Sequence, residues 1–292
     1  MKTPWMKIAA LGAAGALVLS ACSPSASEDA GAEAEGGGGG GGGGGDTITV
    51  GIKYDQPGLG FREGNNPPTG FDVDVAKAVL AEMGYEEDQI EWVESPTPQR
   101  ENMLENGQVD MIFATYSITE ERDERVDFAG PYFMAGQDIL VRSDEEDITQ
   151  PEDLNGRNLC SVSGSTPAQN VRDMYADEVE LVEQDGYSEC LTFLQSGQVD
   201  AVTTDDIILA GLAATEEYAG QFKVVGNPFS EEPYGVGLPE GDTENCEAVN
   251  EAIQTLQENG TIDELLATNT EGVDYEANAE LNDNIELVSC GE

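Results

Sequence analysis

One phrase, used twice, narrows the possible folds more than any other feature of the chain. Residues 107–122, Gly-Gln-Val-Asp-Met-Ile-Phe-Ala-Thr-Tyr-Ser-Ile-Thr-Glu-Glu-Arg, follow a helical pattern at 102–106 that the glycine stops. Residues 111–114 are a short apolar run that reads as a buried strand. It ends in Thr115 and Ser117, and Thr119 stands as an N-cap ahead of Glu121 and Arg122. Residues 196–206, Ser-Gly-Gln-Val-Asp-Ala-Val-Thr-Thr-Asp-Asp, repeat the order helix, glycine, strand, polar end. In an open α/β sheet, ligands sit at the edge where such strands end. The first copy brings hydroxyls and Arg122, whose fork suits both oxygens of a carboxylate. The second brings Asp205 and Asp206. One cation and one anion complement an α-amino acid. The competing reading is that Gly-Gln-Val-Asp is a good helix-to-strand turn in any protein and recurs by chance.

The surrounding pattern is that of a doubly wound α/β protein. Strands are expected at 46–52 and 90–94, and helices at 70–84 and 100–105, with a loop at 53–58. Residues 126–133 read as a break. A strand at 137–142 crosses to a second lobe, where 158–162 starts a new sheet. Residues 163–168 form a small-residue turn opening a helix, with backbone N–H groups suited to an anion. A strand at 180–183, a helix at 190–195 and a strand at 201–203 follow. Segments 223–226 and 234–238 are expected to return to the first lobe, before helices at 246–258 and 261–267 and an acidic, irregular end from 269 to 292. Residues 46–135 thus form the first part of lobe 1, 136–230 lobe 2 with its hinge, and 231–292 the return to lobe 1 and the tail. A body of roughly 245 residues suits two lobes better than one core.

The start of the chain bears on its compartment. Lys2 and Lys7 precede an apolar run at 8–19, and Leu19-Ser20-Ala21-Cys22 follows. This is an export signal over residues 1–21, too short and too rich in Ala and Gly for a strong membrane span. The Leu-Ser-Ala-Cys sequence resembles the lipobox of bacterial lipoproteins. That resemblance implies acylation, with palmitate among the acyl groups, at Cys22. An ordinary secretory peptide with an incidental Cys is the alternative. Residues 22–45, ending in ten glycines, are a flexible linker with an r.m.s. span of roughly 25–30 Å. Cys160, Cys190, Cys246 and Cys290 remain, an even number in an exported chain, and admit three pairings. Cys160–Cys190 with Cys246–Cys290 is favoured, because each pair then lies within one lobe. With no His and no C-x-x-C pair, a metal site is not expected. The net charge of −47 excludes nucleic acid and anionic lipid surfaces as partners. Without Lys2 and Lys7, ten Lys and Arg face 59 Asp and Glu, so an anionic ligand must be held locally by several cations.

From about residue 48 to 268 the chain resembles the amino-acid-binding family of extracellular solute-binding proteins, the receptor subunits of ABC importers. The markers, in order, are Gly70-Phe-Asp-Val-Asp, Gly107-Gln-Val-Asp, Ser117-Ile-Thr-Glu-Glu-Arg122, Asp127-Phe-Ala-Gly-Pro-Tyr132, Ser163-Gly-Ser-Thr166 and Thr204-Asp205. Lys53-Tyr-Asp-Gln-Pro-Gly, Gln99-Arg-Glu-Asn-Met, Phe113-Ala-Thr-Tyr-Ser and Thr203-Thr-Asp-Asp206 look most like glutamate-binding lipoproteins of actinobacterial importers. The resemblance implies a type II periplasmic-binding-protein-like fold, two lobes joined by two hinge strands and closing on a ligand. It implies that Arg122 grips the α-carboxylate with Ser117 and the backbone at Thr115. Ser165 and Thr166 close on the same carboxylate, and Asp205 takes the α-ammonium. Lys53 stands where a glutamine-binding relative carries an acid, and Arg100, beside Thr97, where a glutamate- and aspartate-binding relative carries an Arg. Two cations there imply a γ-carboxylate. Gln56 and Thr97 occupy the usual places of stacking aromatics, for which Tyr54 or Tyr116 are substitutes. Surface pairing of Lys53, Arg100 or Arg122 with neighbouring acids is the bland alternative at each. The expected protein is a non-enzymatic, cofactor-free monomer. It is lipid-anchored on the extracytoplasmic face of the cell membrane and delivers L-glutamate, or aspartate or glutamine, to a membrane permease. The other readings are a dehydratase on the same fold, whose acid–base chemistry would rest on carboxylates alone, and a sensory lipoprotein using the same pocket.

Overall fold

The structure, a computed structural model, describes residues 47–174, 178–283 and 285–291, without the side chain of Arg172. The expected signal segment, the linker and Cys22 lie outside the described residues. The first strand, β1 (Ile48–Ile52), leads into a small hairpin, β2 (Asp55–Gln56) with β3 (Gly60–Phe61), and then α1 (Phe71–Glu82). After β4 (Ile90–Glu94) and α2 (Arg100–Glu105) comes β5 (Met111–Ser117), longer than its apolar run and buried at all seven positions. Its alternating side chains supply two cores. Met111 and Phe113 pack with Phe71, Val79 and Ile253, whereas Ile112, Ala114 and Tyr116 pack with Leu104 and Phe128. A strand covered on both faces has no polar side to show, which is why it reads as an unbroken apolar run.

A single turn, α3 (Glu120–Asp123), is capped by Thr119, whose hydroxyl accepts from the Arg122 N–H. The expected break at 126–133 is instead β6 (Asp127–Ala135), nine residues long with a cis Gly130–Pro131 bond. A proline fits because β6 is an edge strand with its ladder on one side only. The chain crosses at Gly136 to β7 (Gln137–Arg142), followed by β8 (Asn158–Val162), α4 (Thr166–Met174), β9 (Glu180–Gln184), α5 (Tyr187–Ser196) and β10 (Ala201–Asp205). Next is a helix that the sequence reading lacks, α6 (Asp206–Ala213). Its six residues from Ile207 to Leu212 are all buried, so it has no polar face to give a helical period. The segment expected to return at 223–226 stays in the second lobe, where β11 (Phe222–Val224) pairs antiparallel with β7. The return follows it, leading to β12 (Glu232–Leu238). Two helices, α7 (Thr243–Glu258) and α8 (Thr261–Asn269), and a one-turn α9 (Ala279–Asn282) close the chain.

The two sheets share one plan. The first runs β4-β1-β5-β12-β6 and the second β9-β8-β10-β7-β11. In each, the first three strands are parallel and the last two antiparallel to a neighbour. Both repeated phrases become the third strand of their sheet, β5 and β10. Disulfides join Cys160 to Cys190, tying β8 to α5, and Cys246 to Cys290, tying α7 to the tail. Among the described residues no helix is long and apolar enough to cross a membrane, and no acidic, Cys or His cluster could hold a metal ion.

Candidate ligand-binding site

The C-terminal ends of β5 and β10 face each other across the two lobes. From β5, Thr115 sits at φ +45°, a left-handed conformation that a β-branched residue adopts only when held there. Its N–H donates to Asp72 Oδ2 at 2.9 Å, and its hydroxyl meets the Gln56 amide at 3.2 Å and the Ala114 carbonyl at 2.7 Å. Asp72 is fully buried and also accepts from the Tyr132 hydroxyl at 2.7 Å. Burial pushes its pKa up to about 6, against the pull of those two donors. Ser117, at the end of the strand, offers its carbonyl to Arg122 Nη1 at 2.7 Å. Arg122 Nη2 reaches over to the second lobe and donates to the Gly164 carbonyl at 3.3 Å, while Nε lies 3.6 Å from Glu101.

Three cations are buried here on a chain that has few. Arg100 and Arg122 each stack 4.9 Å from the centroid of the Tyr116 ring. Burial lowers the pKa of Arg100, and the nearby Arg122 charge adds to the effect. Burial also lowers that of Lys53, despite Asp55 at 2.9 Å, and Arg100 contributes to the lowering. Arg100 Nε is buried with no hydrogen-bond partner among the described residues. The opposite pole is Asp205. The Tyr234 hydroxyl donates to its Oδ2 at 2.5 Å, and its Oδ1 is buried without a partner among the described residues. Burial raises the Asp205 pKa well above the usual carboxylate range; Glu232 raises it further, and Arg122 opposes. Uncompensated charges of both signs in one desolvated region are expensive unless something charged lies between them.

Thr97, Arg122, Ser165 and Thr166 line one cavity of about 730 Å³ between the lobes. Lys53, Arg100, Thr115, Ser117 and Asp205 do not line it and are buried; Ser117 connects to the cavity through its carbonyl on Arg122. The hydroxyls expected to reach the carboxylate from the second lobe have protein partners. Ser165 Oγ lies 3.2 Å from Ser161 Oγ, and Thr166 donates to Glu232 at 3.1 Å. Residues that the sequence reading did not place in the site also converge on it. Glu232 accepts from Thr166, Asn170 and Ser230, and the Tyr187 hydroxyl lies 2.6 Å from Thr204 Oγ1. Tyr187 opens α5 and Glu232 opens β12. Their places follow from sheet order, which no local motif carries.

Comparison with known proteins bears on the family and the fold of the chain. The model of the bacterial extracellular solute-binding proteins, family 3, matches residues 48–271. The glutamate-binding protein GluB of Corynebacterium glutamicum is 48% identical over 233 residues, 76% of this chain and 78% of that protein. The ABC transporter glutamine-binding protein GlnH of Bacillus subtilis is 36% identical over 225 residues, 75% of this chain and 80% of that protein. Among solved structures, an ancestral arginine-binding protein bound to arginine superposes with a TM-score of 0.70 at 34% identity, covering 76% of this chain and 97% of that one.

Proposed function

Since the chain belongs to the bacterial extracellular solute-binding proteins, family 3, we propose that it is the receptor of an amino-acid importer and that its ligand is L-glutamate. The observation that carries the choice is the pair of buried cations, Lys53 and Arg100, the second with an unpartnered Nε. Asp55 offsets the charge of Lys53, whereas Arg100 stacks on Tyr116 and keeps donors to spare. A γ-carboxylate supplies the missing acceptor. The neutral amide of glutamine leaves more charge uncompensated, and the cationic side chain of arginine is repelled. At the other end Arg122 holds the α-carboxylate and Asp205 the α-ammonium, so the zwitterion bridges strand ends from both lobes. Ser117, Thr115, Thr97, Ser165 and Thr166 shape the cleft around it. The lobes close by rotation about the two crossings, at Gly136 and after β11.

Delivery to a membrane permease follows from this reading, as does anchoring through an acylated Cys22 that keeps a monomeric receptor beside it. The relatives support a binder rather than an enzyme: GluB is a glutamate-binding and GlnH a glutamine-binding protein.

Titration calorimetry tests the ligand. L-Glutamate is expected to bind most tightly, with aspartate and glutamine weaker and arginine silent; no heat with glutamate removes the claim. Arg122→Ala or Asp205→Ala is expected to cost about 2–5 kcal/mol of affinity, the range for truncating one partner of a buried charge pair. Unchanged affinity would remove that residue from the site.

A further inference from the structure

The turn that follows Lys53 does more than support the cleft floor. Leu59 N–H donates to the Gln56 carbonyl at 3.1 Å, and Gly58 has φ +82°. With Pro57 and Gly58 at its centre this is a type II turn, whose central peptide, and so the Pro57 carbonyl, projects away from the chain on either side. It projects into the second lobe. A Cβ placed on Gly211, in the middle of α6, would lie 2.3 Å from the Pro57 oxygen. One placed on Gly186, which caps α5, would lie 3.0 Å from Asp55 Oδ2. Both glycines are buried, and neither has a left-handed backbone, so neither is there for its φ. Gly211 faces backbone and needs the space outright; at Gly186 the neighbours are the carboxylate oxygens of Asp55 and Glu189, each 3.0 Å from that Cβ, so the fit there is close but can yield. The glycine hydrogen at 211 points along the missing Cβ bond toward the carbonyl, a Cα–H···O approach that any side chain would replace with a clash.

We infer that Gly186 and Gly211 form a notch on the second lobe that receives the Asp55–Pro57 turn of the first, and that the lack of a side chain at Gly211 lets the cleft close fully. The same turn carries Gln56, which touches Thr115, and adjoins Lys53, which pairs with Asp55. Docking the turn therefore seats the side-chain end of the ligand site and the lobe contact together. Gly211 is a positioning residue: it touches no ligand and acts through the closed state. The inference rests on the proposed closing motion, and its test does not require the proposed ligand.

The variant is Gly211→Ala. Alanine is a better helix former than glycine, so the variant is expected to fold and the ligand-free melting temperature to hold or rise. Closure is read without ligand. A Cβ on Gly164 would lie 3.5 Å from Pro98 Cβ across the same seam, within the Cβ separation of a disulfide; Gly164 has φ +75°, so a cysteine there strains its turn equally in both backgrounds compared. Pro98→Cys with Gly164→Cys is therefore compared with and without Gly211→Ala under mild oxidation. The expected result is crosslinking slowed by about tenfold or more, the scale set by an overpacked contact. Where glutamate binds, its Kd should rise by a similar factor through faster dissociation, since only the closed state is penalised. Equal crosslinking rates in the two backgrounds overturn the inference. Failure of the parent protein to bind glutamate, with Gly211→Ala still slowing the crosslink, would remove the proposed ligand and leave the notch standing.

Discussion

Asp72 connects the stability of the molecule to the shape of its site. It holds the Thr115 N–H and the Tyr132 hydroxyl at once, and burial raises its pKa to about 6. Asp206, also raised to about 6 by burial, accepts from the Ile207 N–H and the N–H of the crossing residue Gly136. An unfolded aspartate ionises near 3.9. Between about pH 4 and pH 6 the folded protein therefore holds protons that the unfolded chain has released, and stability falls as pH rises through that window. Melting temperature is expected to be higher at pH 4.5 than at pH 7. Asp72→Asn should flatten part of that slope. It should also cost about 1–3 kcal/mol, since an amide has one acceptor oxygen for two buried donors. A melting temperature that rises steadily with pH over the same range would contradict the assignment. Asp72 also marks the limit of local reading. In sequence it is a first-turn acid between Phe71 and Val73, the usual place for a helix-favouring charge. What buries it comes from Thr115 and Tyr132, far along the chain. Arg122 and Asp205 were legible because each follows an apolar strand that points to it. The partners Glu232 and Tyr234 enter from β12, whose position between β5 and β6 no sequence period encodes.

At the scale of elements, strands β1, β4, β7 and β8 and the helices α1, α2 and α7 carry local signals of period, cap or glycine stop, and they lie close to where those signals put them. The exceptions are elements whose partners decide them. β6 is a strand because β12 pairs with it on either side of the proline, and β11 stays in the second sheet because β7 has a free edge. The tail is also set by partners. Asn282 exchanges two hydrogen bonds with the backbone of Met134, each 2.9 Å, and Val288 N–H donates to the Gly130 carbonyl at 2.7 Å. The tail thus covers part of the open side of edge strand β6, which blunts a site of unwanted pairing. Cys246–Cys290 holds it there. A bridge across 44 residues removes about 4 kcal/mol of loop entropy from the unfolded chain. Cys246→Ser with Cys290→Ser is expected to lower stability by about 2–4 kcal/mol and to speed hydrogen exchange at Met134 and Val288, whose N–H groups make the tail contacts. Unchanged exchange at those two amides would show that Asn282 and Val288 suffice without the bridge.

For the whole molecule the dominant fact is charge. The chain carries a net −47, and the proposed ligand is an anion. The far field repels glutamate, while the near field of Lys53, Arg100 and Arg122 binds it, so the two act on different steps. Repulsion at a distance slows encounter, and salt screens it within a Debye length of about 10 Å at 0.1 M. The buried cations, shielded from solvent ions, set dissociation. Raising ionic strength from about 0.01 M to 0.15 M is therefore expected to increase the association rate of glutamate severalfold and to change its dissociation rate little. Neutral glutamine serves as the internal control, because a net-zero zwitterion gains far less from screening. Stopped-flow measurement of the intrinsic fluorescence of Trp92, which is packed against the first core, gives both rates for both ligands. An association rate for glutamate that falls with salt would mean that the cleft projects a positive field beyond its own mouth. The excess of surface acid would then have no part in how the ligand arrives.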